Sequence, residues 1–197
     1  NDRAKFYASL AYTDNNGILD TSTMDRTTVS INLTPKFFDN HLSVNANVKG
    51  YYIRNRFADT GAVGAAIAFD PTKPVYTNYA LASGSSISGS LFNGYTTWMS
   101  GSVINENSTV NPVSLLQEID HVANVYRSNG NLQLDYAVHF LPDLHLNLNL
   151  GYDVSKTDEH YKVAANSPSA WRQWNKNANG AATDNYIYQF KSNTLLD

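Results

Sequence analysis

The chain has 197 residues, of which 16% are charged and 12% aromatic, with a net charge of −3 and no cysteine. The charged fraction is well below the roughly 25% of an ordinary soluble domain, and a slightly acidic chain without a basic stripe argues against nucleic-acid binding. The absence of cysteine excludes disulfide scaffolds and thiolate metal sites. No run approaches the roughly 18 apolar residues of a transmembrane helix.

Apolar and polar residues alternate in six segments, which predicts six β-strands that each have one apolar and one polar face. The predicted strands lie near residues 4–13, 25–34, 42–54, 122–140, 144–154 and 185–197. Their polar positions hold mainly Asn, Gln, Ser and His, whereas Lys and Glu are scarce there. An apolar face opposite a wet, amide-rich face is typical of the wall of a transmembrane β-barrel.

The connections between the predicted strands alternate in length along the chain. Turns are predicted at 14–17, at 35–41 and at 141–143, and long loops over 55–121 and 155–184. Outer-membrane barrels have short periplasmic turns and long extracellular loops. The order of the connections therefore predicts that 35–41 and 141–143 lie on the periplasmic side and that both long loops are extracellular.

A short helix is predicted inside the first long loop. Asn111 would be its N-cap and Pro112 its first residue, with Leu115, Leu116 and Ile119 as its buried stripe. The predicted fold is thus all-β: an antiparallel up-and-down meander of about six strands, with long loops that contain short helices. Because the smallest bacterial single-chain barrels have eight strands, we expect the chain to be a segment of a larger barrel.

The sequence holds no recognisable catalytic motif, so we expect no enzymatic activity and no cofactor. It lacks the nucleophile elbow of hydrolases, a phosphate-binding Gly-rich loop and the His-Glu-x-x-His motif. The five histidines lack metal-ligand spacing. His139 and His145 flank the same turn and could meet across the hairpin, but rim or lumen polar residues are the preferred interpretation, and no metal site is predicted.

The aromatic residues of the two long loops are the candidate substrate-binding residues, because exposed aromatic rings stack on sugars or hold apolar side chains. The alternative is that they form the small core of the loops themselves. These candidates are Phe92, Tyr95, Trp98, Trp171 and Trp174.

Several stretches, taken in order, resemble the SusC/RagA class of TonB-dependent outer-membrane transporters. They are NNGIL (15–19), LTPKFFDNHL (33–42), RNRFA (54–58), GAVGAA (61–66), FDPTKPVY (69–76), NPVSLL (111–116), GNLQLDY (130–136) and LPDL (141–144). The resemblance covers nearly the whole chain and weakens over 83–109 and 162–182.

The resemblance implies a location in the outer membrane of a Gram-negative bacterium and a role in nutrient import. Members of the class are barrels of roughly 22 strands with a plugged lumen, in which this chain would form an early-to-middle section of the wall. The plug and the TonB box lie outside this chain. The implied partners are a SusD-like surface lipoprotein, TonB through the absent N-terminal part, a glycan or peptide ligand, and the lipid bilayer.

Two other classes of protein remain as alternatives. A soluble carbohydrate-binding β-sandwich with aromatic loops would require two sheets in Greek-key order and more Lys and Glu on the solvent face. A secreted enzyme of β-helix or sandwich type would require a repeat period or a convergent acid/base set, and neither is present.

Overall fold

The computed structural model describes residues 4–77, 91–100, 103–141, 143–173 and 187–196. Six strands form one antiparallel sheet, and their order in the sheet is their order along the chain. They are β1 (Ala4–Asn16), β2 (Thr23–Phe37), β3 (Leu42–Phe57), β6 (Ile119–Ala137), β7 (His145–Val163) and β8 (Ile187–Leu196). The strands β4 (Met99–Ser100) and β5 (Val103–Ile104) form a separate pair. The predicted all-β, six-stranded meander is therefore confirmed.

The sheet keeps one register from each strand to the next. Every pair of neighbouring strands follows a single antiparallel alignment, so that residues with side chains on one face stand opposite each other across the sheet. Only Thr34 and Pro35 lack a pairing partner on β3, where proline has no N–H to offer the ladder. Strands that pair in chain order do not form the Greek key that the sandwich alternative requires.

The strands extend further toward one end of the sheet than the alternation predicted. The strand predicted to end at residue 154 continues to Val163, so the loop predicted over 155–184 begins only after that residue. Likewise β3 continues to Phe57 and β6 begins at Ile119, which shortens the loop predicted over 55–121 at both ends. At the opposite end β6 stops at Ala137, before the predicted limit of 140.

Three short helices lie in the long connections. They are α1 (Gly61–Ala68), α2 (Pro112–Gln117) and α3 (Pro168–Gln173), and a single 3-10 turn spans Leu91–Gly94. The predicted cap of α2 is confirmed: the side chain of Asn111 accepts hydrogen bonds from the backbone N–H of Val113 and Ser114. Ile119, predicted to belong to this helix, instead begins β6. It packs in a small core with Val163 and Ala170, against Leu115 and Tyr161.

The hairpin turn between β2 and β3 is tight and uses left-handed backbone. Phe38, Asp39 and Asn40 have φ angles of 54°, 51° and 74°. The N–H of His41 donates to the carbonyl oxygen of Phe38 at 3.0 Å. Positive φ at both central residues, 39 and 40, is shared with the type I′ turn, whereas the positive φ of Phe38 departs from it. The turn at 38–41 and the connection at 138–144 lie at one end of the sheet, called the short-turn end, and the helices lie at the other, the long-loop end.

Candidate functional site

One face of the sheet is called the outer face. It carries the apolar side chains that alternate with the amides along the described strands. Phe6, Leu33, Ala46, Leu132 and Leu150 form one continuous row across five strands. Many of these side chains are exposed; Leu150, for example, retains 53% of its accessible surface. A wide apolar sheet face without a cover is rare on a soluble monomer and indicates contact with another apolar phase or molecule.

A row of tyrosines borders this apolar area toward the long-loop end. Tyr12, Tyr52 and Tyr126 stand in register on the outer face, and the rings of the last two lie 5.1 Å apart. Each hydroxyl that donates does so away from the apolar area: that of Tyr12 to Asp25 at 3.1 Å, and that of Tyr52 to Asn124 at 3.2 Å. The row therefore separates an apolar level from a polar one.

Charged side chains occupy the outer face beyond the tyrosines. Asp120 lies 3.1 Å from Nε of Arg56 and 3.7 Å from Nε2 of His160. Val122 stands in register between Arg56 and His160 and is only 3% exposed. At this level the charges cover the sheet, so the exposed apolar surface ends below them.

The opposite face, called the inner face, carries many neutral amides and hydroxyls, a few paired charges and the exposed cations Lys5, Arg26, Lys36 and Lys49. Asn131 donates to Asn149 at 2.6 Å, and the hydroxyls of Ser9 and Ser30 lie 2.6 Å apart. The guanidinium of Arg127 contacts both carboxylate oxygens of Asp153, with Nε at 2.9 Å. The inner face also holds the amides Asn32, Asn45, Asn47, Asn129 and Gln133. Such a surface suits water and hydrogen-bonding ligands.

At the long-loop end, Asn111 joins three segments of the first long connection. It is 2% exposed, and besides capping α2 its Nδ2 donates to the carbonyl oxygens of Val75 at 2.9 Å and Thr96 at 3.4 Å. The N–H of Thr96 also donates to the carbonyl oxygen of Val75, at 2.9 Å. One buried amide therefore sets the position of α2 relative to the segments around residues 75 and 96.

A strained turn connects the two long connections to each other. Phe92, Asn93 and Gly94 have φ angles of 56°, 50° and 84°, in the left-handed region that costs free energy for residues other than glycine. The amide of Asn93 donates to the carboxylate of Glu118 and to the carbonyl oxygen of Ala165, the latter at 2.9 Å. These bonds hold a conformation that the isolated segment would not favour.

Glu118 is the half-buried carboxyl group of this junction. It also accepts a hydrogen bond from the hydroxyl of Ser114. Burial raises the pKa of Glu118 above its ordinary value, although the hydrogen bonds from Ser114 and Asn93 act in the opposite direction. Nearby, burial raises the pKa of the Tyr95 phenol, whose hydroxyl donates to Gln117 at 2.7 Å. Burial thus disfavours the charged forms of both groups at this junction.

The candidate substrate-binding aromatics differ in how much surface they leave free. Phe92 and Tyr95 are only 1% and 7% exposed, so both belong to the core of the loops. Trp171 is half-buried, packs edge-on against Phe92 at 5.4 Å and donates from its indole N–H to Asn166 at 2.8 Å. Trp98 has the ammonium of Lys73 5.4 Å from its ring centre, while Trp174 lies outside the described residues. Ligand contact by any of the five stays a prediction.

The histidines at the short-turn end form a different pair from the one considered in the sequence. The rings of His139 and His41 stack with centres 4.1 Å apart, and Nδ1 of His41 donates to the carbonyl oxygen of Ala137 at 3.1 Å. His145 contacts Asp135 instead, at 2.8 Å. Within the described ranges, no group of three or more His, Asp or Glu residues is placed to hold a metal ion.

Arg172 and Ser169 on α3 were not singled out by any sequence motif. The guanidinium of Arg172 donates to the hydroxyl of Ser108 at 2.8 Å and to the carbonyl oxygen of Asn105 at 3.3 Å. Burial lowers the pKa of this guanidinium from its ordinary value, while the charge of Glu106 raises it. Only tertiary contacts reveal this arrangement, because a Ser-x-x-Arg spacing occurs by chance in many helices.

The comparisons with known proteins point in one direction. No family model matches the chain. The chain is 43% identical over 152 residues to the TonB-dependent receptor SusC of Bacteroides thetaiotaomicron, a match that covers 74% of the chain and 15% of the relative. The chain thus spans only a small part of the length of that relative. Among the described residues, no helix is both long and apolar enough to cross a membrane.

Proposed function

Because this chain belongs to the SusC class of TonB-dependent receptors, we propose that it forms a section of the barrel wall of an outer-membrane nutrient importer. The chain spans only a part of the length of its SusC relative. The observation that carries this proposal is the division of the outer face into levels. An exposed apolar area, a row of tyrosines and a charged zone follow one another toward the long-loop end. This is the order that a protein meets from the hydrocarbon core to the aqueous side of a membrane.

The height of the apolar area agrees with a membrane. On β3 the outer-face side chains run from Leu42 to Tyr52, ten residues further along the strand, before Arg54. At about 3.3 Å per residue this is about 33 Å of strand. At the tilt of roughly 40° found in outer-membrane barrels it spans about 25 Å, which equals their apolar band.

The inner face supports a role in passage rather than in tight binding. Its amides and hydroxyls offer many neutral donors and acceptors, which suit a hydroxylated or peptide ligand that binds weakly and moves on. Backbone groups paired from strand to strand satisfy the requirement for crossing lipid without helices. We propose that this face lines the lumen of the importer and that the ligand is a glycan or a peptide.

The two ends of the sheet then have different surroundings. We propose that the turn at 38–41 and the connection at 138–144 face the periplasm, since outer-membrane barrels have short turns on that side. The helical connections would form the extracellular mouth, where a SusD-like surface lipoprotein would cover the ligand. Energy would come from TonB, through a part of the polypeptide that this chain does not include.

The proposal is tested by cysteine labelling in the full-length receptor from which this segment derives. The segment contains no cysteine, so single cysteines can be introduced at Leu148 on the outer face and at the neighbouring Asn149 on the inner face. In outer-membrane vesicles we expect a water-soluble maleimide to label the Asn149→Cys receptor and a lipid-soluble maleimide to label the Leu148→Cys receptor. Equal labelling of both positions by the water-soluble reagent would contradict the proposed membrane wall.

A further inference from the structure

Four cations on the inner face of β1, β2 and β3 lack a counter-charge. They are Lys5, Arg26, Lys36 and Lys49, here called the cation row, and all four residues are exposed. None of them forms an ion pair within the described ranges. The described inner-face positions of these three strands hold no Asp or Glu, so the sheet does not neutralise the row.

The acidic side chains of the same face are placed differently. Asp135, Asp153 and Glu159 lie on β6 and β7, where each contacts an arginine or a histidine. The described inner face is therefore divided into two sections. Charges are paired on β6 and β7, whereas β1, β2 and β3 carry positive charges only.

The neighbouring strands do not supply a partner for the two central members of the row. The strands on either side of Arg26 and of Lys49 are described at the level of these residues. The side chains in register with them there are uncharged. A further strand of the barrel has no place beside either cation, so an anionic partner would have to approach from the inner side of the sheet.

The cation row runs along the strands rather than around one point. Through the register, its members lie at the levels of residues 26, 30, 34 and 36 of β2. The largest step is four residues, about 13 Å at about 3.3 Å per residue, and the whole row covers about 33 Å of strand. Exposed cations so far apart attract an anion weakly and do not enclose it. This arrangement suits a passage better than a tight binding site.

We propose that the cation row makes an electropositive section of the lumen, which selects anionic ligands over neutral and cationic ones. The proposal rests on the proposed importer function and specifies its ligand class as an acidic oligosaccharide or an acidic peptide. A cleft that is lined by one sign of charge and has low-dielectric walls concentrates counter-ions and speeds their entry. Lipid behind the outer face would supply the low dielectric, and the amides between the cations would bind the neutral groups of the ligand.

Collisional quenching of a fluorophore in the full-length receptor measures the sign of the charge in the lumen. The fluorophore is attached to a single cysteine in place of Asn45, an exposed inner-face residue between the levels of Lys36 and Lys49. The quenchers are iodide, thallium(I) and acrylamide, which are an anion, a cation and a neutral molecule. Each is used in about 0.01 M and about 1 M sodium acetate, where the Debye length is about 30 Å and about 3 Å.

At low salt we expect iodide to quench at least about threefold more efficiently than thallium(I), since a positive potential of about kT raises the local concentration of an anion by roughly that factor. High salt should remove this preference. Lys49→Gln should weaken it, Lys49→Glu should abolish it and Lys49→Arg should preserve it. Arg54→Gln is the matched control and should have no effect, because it removes a positive charge from an exposed outer-face position.

Two outcomes of the quenching experiment would overturn the proposal. Equal quenching by iodide and thallium(I) in the wild-type receptor would mean that the plug, or another part of the polypeptide, neutralises the cation row. A preference for iodide that Lys49→Glu leaves unchanged would mean that the positive charge comes from elsewhere in the receptor.

Four soluble probes then separate the two sources of negative charge. They are tetragalacturonate, its methyl ester, tetraglutamate and tetraglutamine, and isothermal titration calorimetry measures their binding to the full-length receptor. We expect the acidic sugar or the acidic peptide to bind at least about tenfold more tightly than its neutral counterpart, the lower end of the gain that such a field gives to association. Lys49→Glu should remove most of this preference. Equal affinity within both pairs, or no binding of any probe, would overturn the ligand class.

The two proposals fail in different ways. If the labelling at Leu148 and Asn149 contradicts a membrane wall, the importer function is wrong whatever the quenchers do. If the labelling agrees with the wall and the preference for anions is absent, the electropositive section alone is wrong. Loss of structure in a variant is recognised by a lower midpoint of heat unfolding, and the comparison of Lys49→Gln with Lys49→Arg then decides.

Discussion

The ring of Tyr152 occupies the space in which any residue other than glycine at position 130 would carry its β-carbon. A β-carbon on Gly130 would lie 2.4 Å from Cε1 of Tyr152 and 2.9 Å from the carbonyl oxygen of Asn47. The hydroxyl of Tyr152 lies 3.0 Å from that of Ser128. The ring of Tyr152 and the backbone of Asn47 therefore leave no room for a side chain at position 130 of the outer face, so glycine is required there.

Replacing Gly130 by alanine should destabilise the sheet. The ring of Tyr152 can move, but the carbonyl oxygen of Asn47 belongs to the neighbouring strand, so we expect a loss of about 1–3 kcal/mol in the free energy of unfolding. Gly50→Ala is the matched control, because its β-carbon meets nothing within 4 Å. That change should be neutral or stabilising by up to about 1 kcal/mol. The midpoint temperature of the heat-dependent shift in gel mobility measures both effects in the full-length receptor. Equal midpoints for the two variants would contradict the close approach.

Replacing Asn111 by alanine should loosen the first long connection. The change removes the cap of α2, which typically contributes about 1 kcal/mol, and also the bonds to Val75 and Thr96. We expect a local loss of about 2 kcal/mol in total. Hydrogen exchange of the backbone amides at 95–97 and 113–117 in the full-length receptor measures this loss.

The control for this loss is Asn45→Ala, which removes an exposed inner-face amide. Asn45 makes no side-chain hydrogen bond within the part of the chain that the structure describes. Its removal should leave the exchange rates at 95–97 and 113–117 unchanged. If Asn111→Ala behaves in the same way, the buried amide does not hold these segments together.

The junction at Glu118 should lose stability as the pH rises. Burial raises the folded-state pKa of this carboxyl above its ordinary value of 4.5. Between the two values the folded state binds more protons than the unfolded state, so the stabilisation is complete below 4.5 and decreases as the pH rises through the folded pKa. Protection of the Ala164 amide from hydrogen exchange measures this loss of stability. That amide donates to the carbonyl oxygen of Glu118 at 2.8 Å.

Two variants check the sign of this dependence. Glu118→Gln should make protection of the Ala164 amide independent of pH above 4.5. Hydrogen bonds from Thr72 lower the pKa of Asp70 below its ordinary value of 3.8. The contribution of Asp70 to stability therefore changes only at lower pH. Asp70→Asn should therefore preserve the wild-type slope above 4.5. A wild-type slope of the opposite sign would show that the hydrogen bonds from Ser114 and Asn93 outweigh burial.

Leu150→Arg on the outer face should destabilise the receptor in the membrane, whereas an arginine on the inner face should not. Leu150 lies in the middle of the apolar area, and an arginine near the bilayer midplane of a barrel costs roughly 2–4 kcal/mol. Gln133→Arg is the control, since Gln133 is an exposed inner-face residue of the neighbouring strand. Urea unfolding of the full-length receptor in lipid vesicles compares them. Equal destabilisation by both would argue against a lipid-facing outer face.

Alternation was enough to predict the six strands and their two faces, but not where they end. On β3 the run Arg54, Asn55, Arg56 is polar on both faces, and β7 is similar from Ser155 to Lys162. These residues stand beyond the tyrosine row, where both faces carry polar side chains. The backbone ladder continues there although the side-chain pattern has stopped, so the sequence signal ends before the strand does.

The candidate site was harder to anticipate because it depends on contacts between distant segments. The cap of α2 is local, and the sequence predicted Asn111 and Pro112 correctly. That Phe92 and Tyr95 are buried while Trp98 and Trp171 keep surface depends on how two long connections pack. The hydrogen bonds of Arg172 are likewise visible only once α3 rests against Ser108.

The single register that runs across all six strands has a consequence for insertions and deletions. One residue added inside β3 or β7 would exchange the two faces of everything beyond it, so that leucines would turn to the inner face and amides to the outer face. Additions in the connections would leave both faces intact. We therefore expect related receptors to vary in length between β3 and β6 and between β7 and β8, and to change by substitution within the strands.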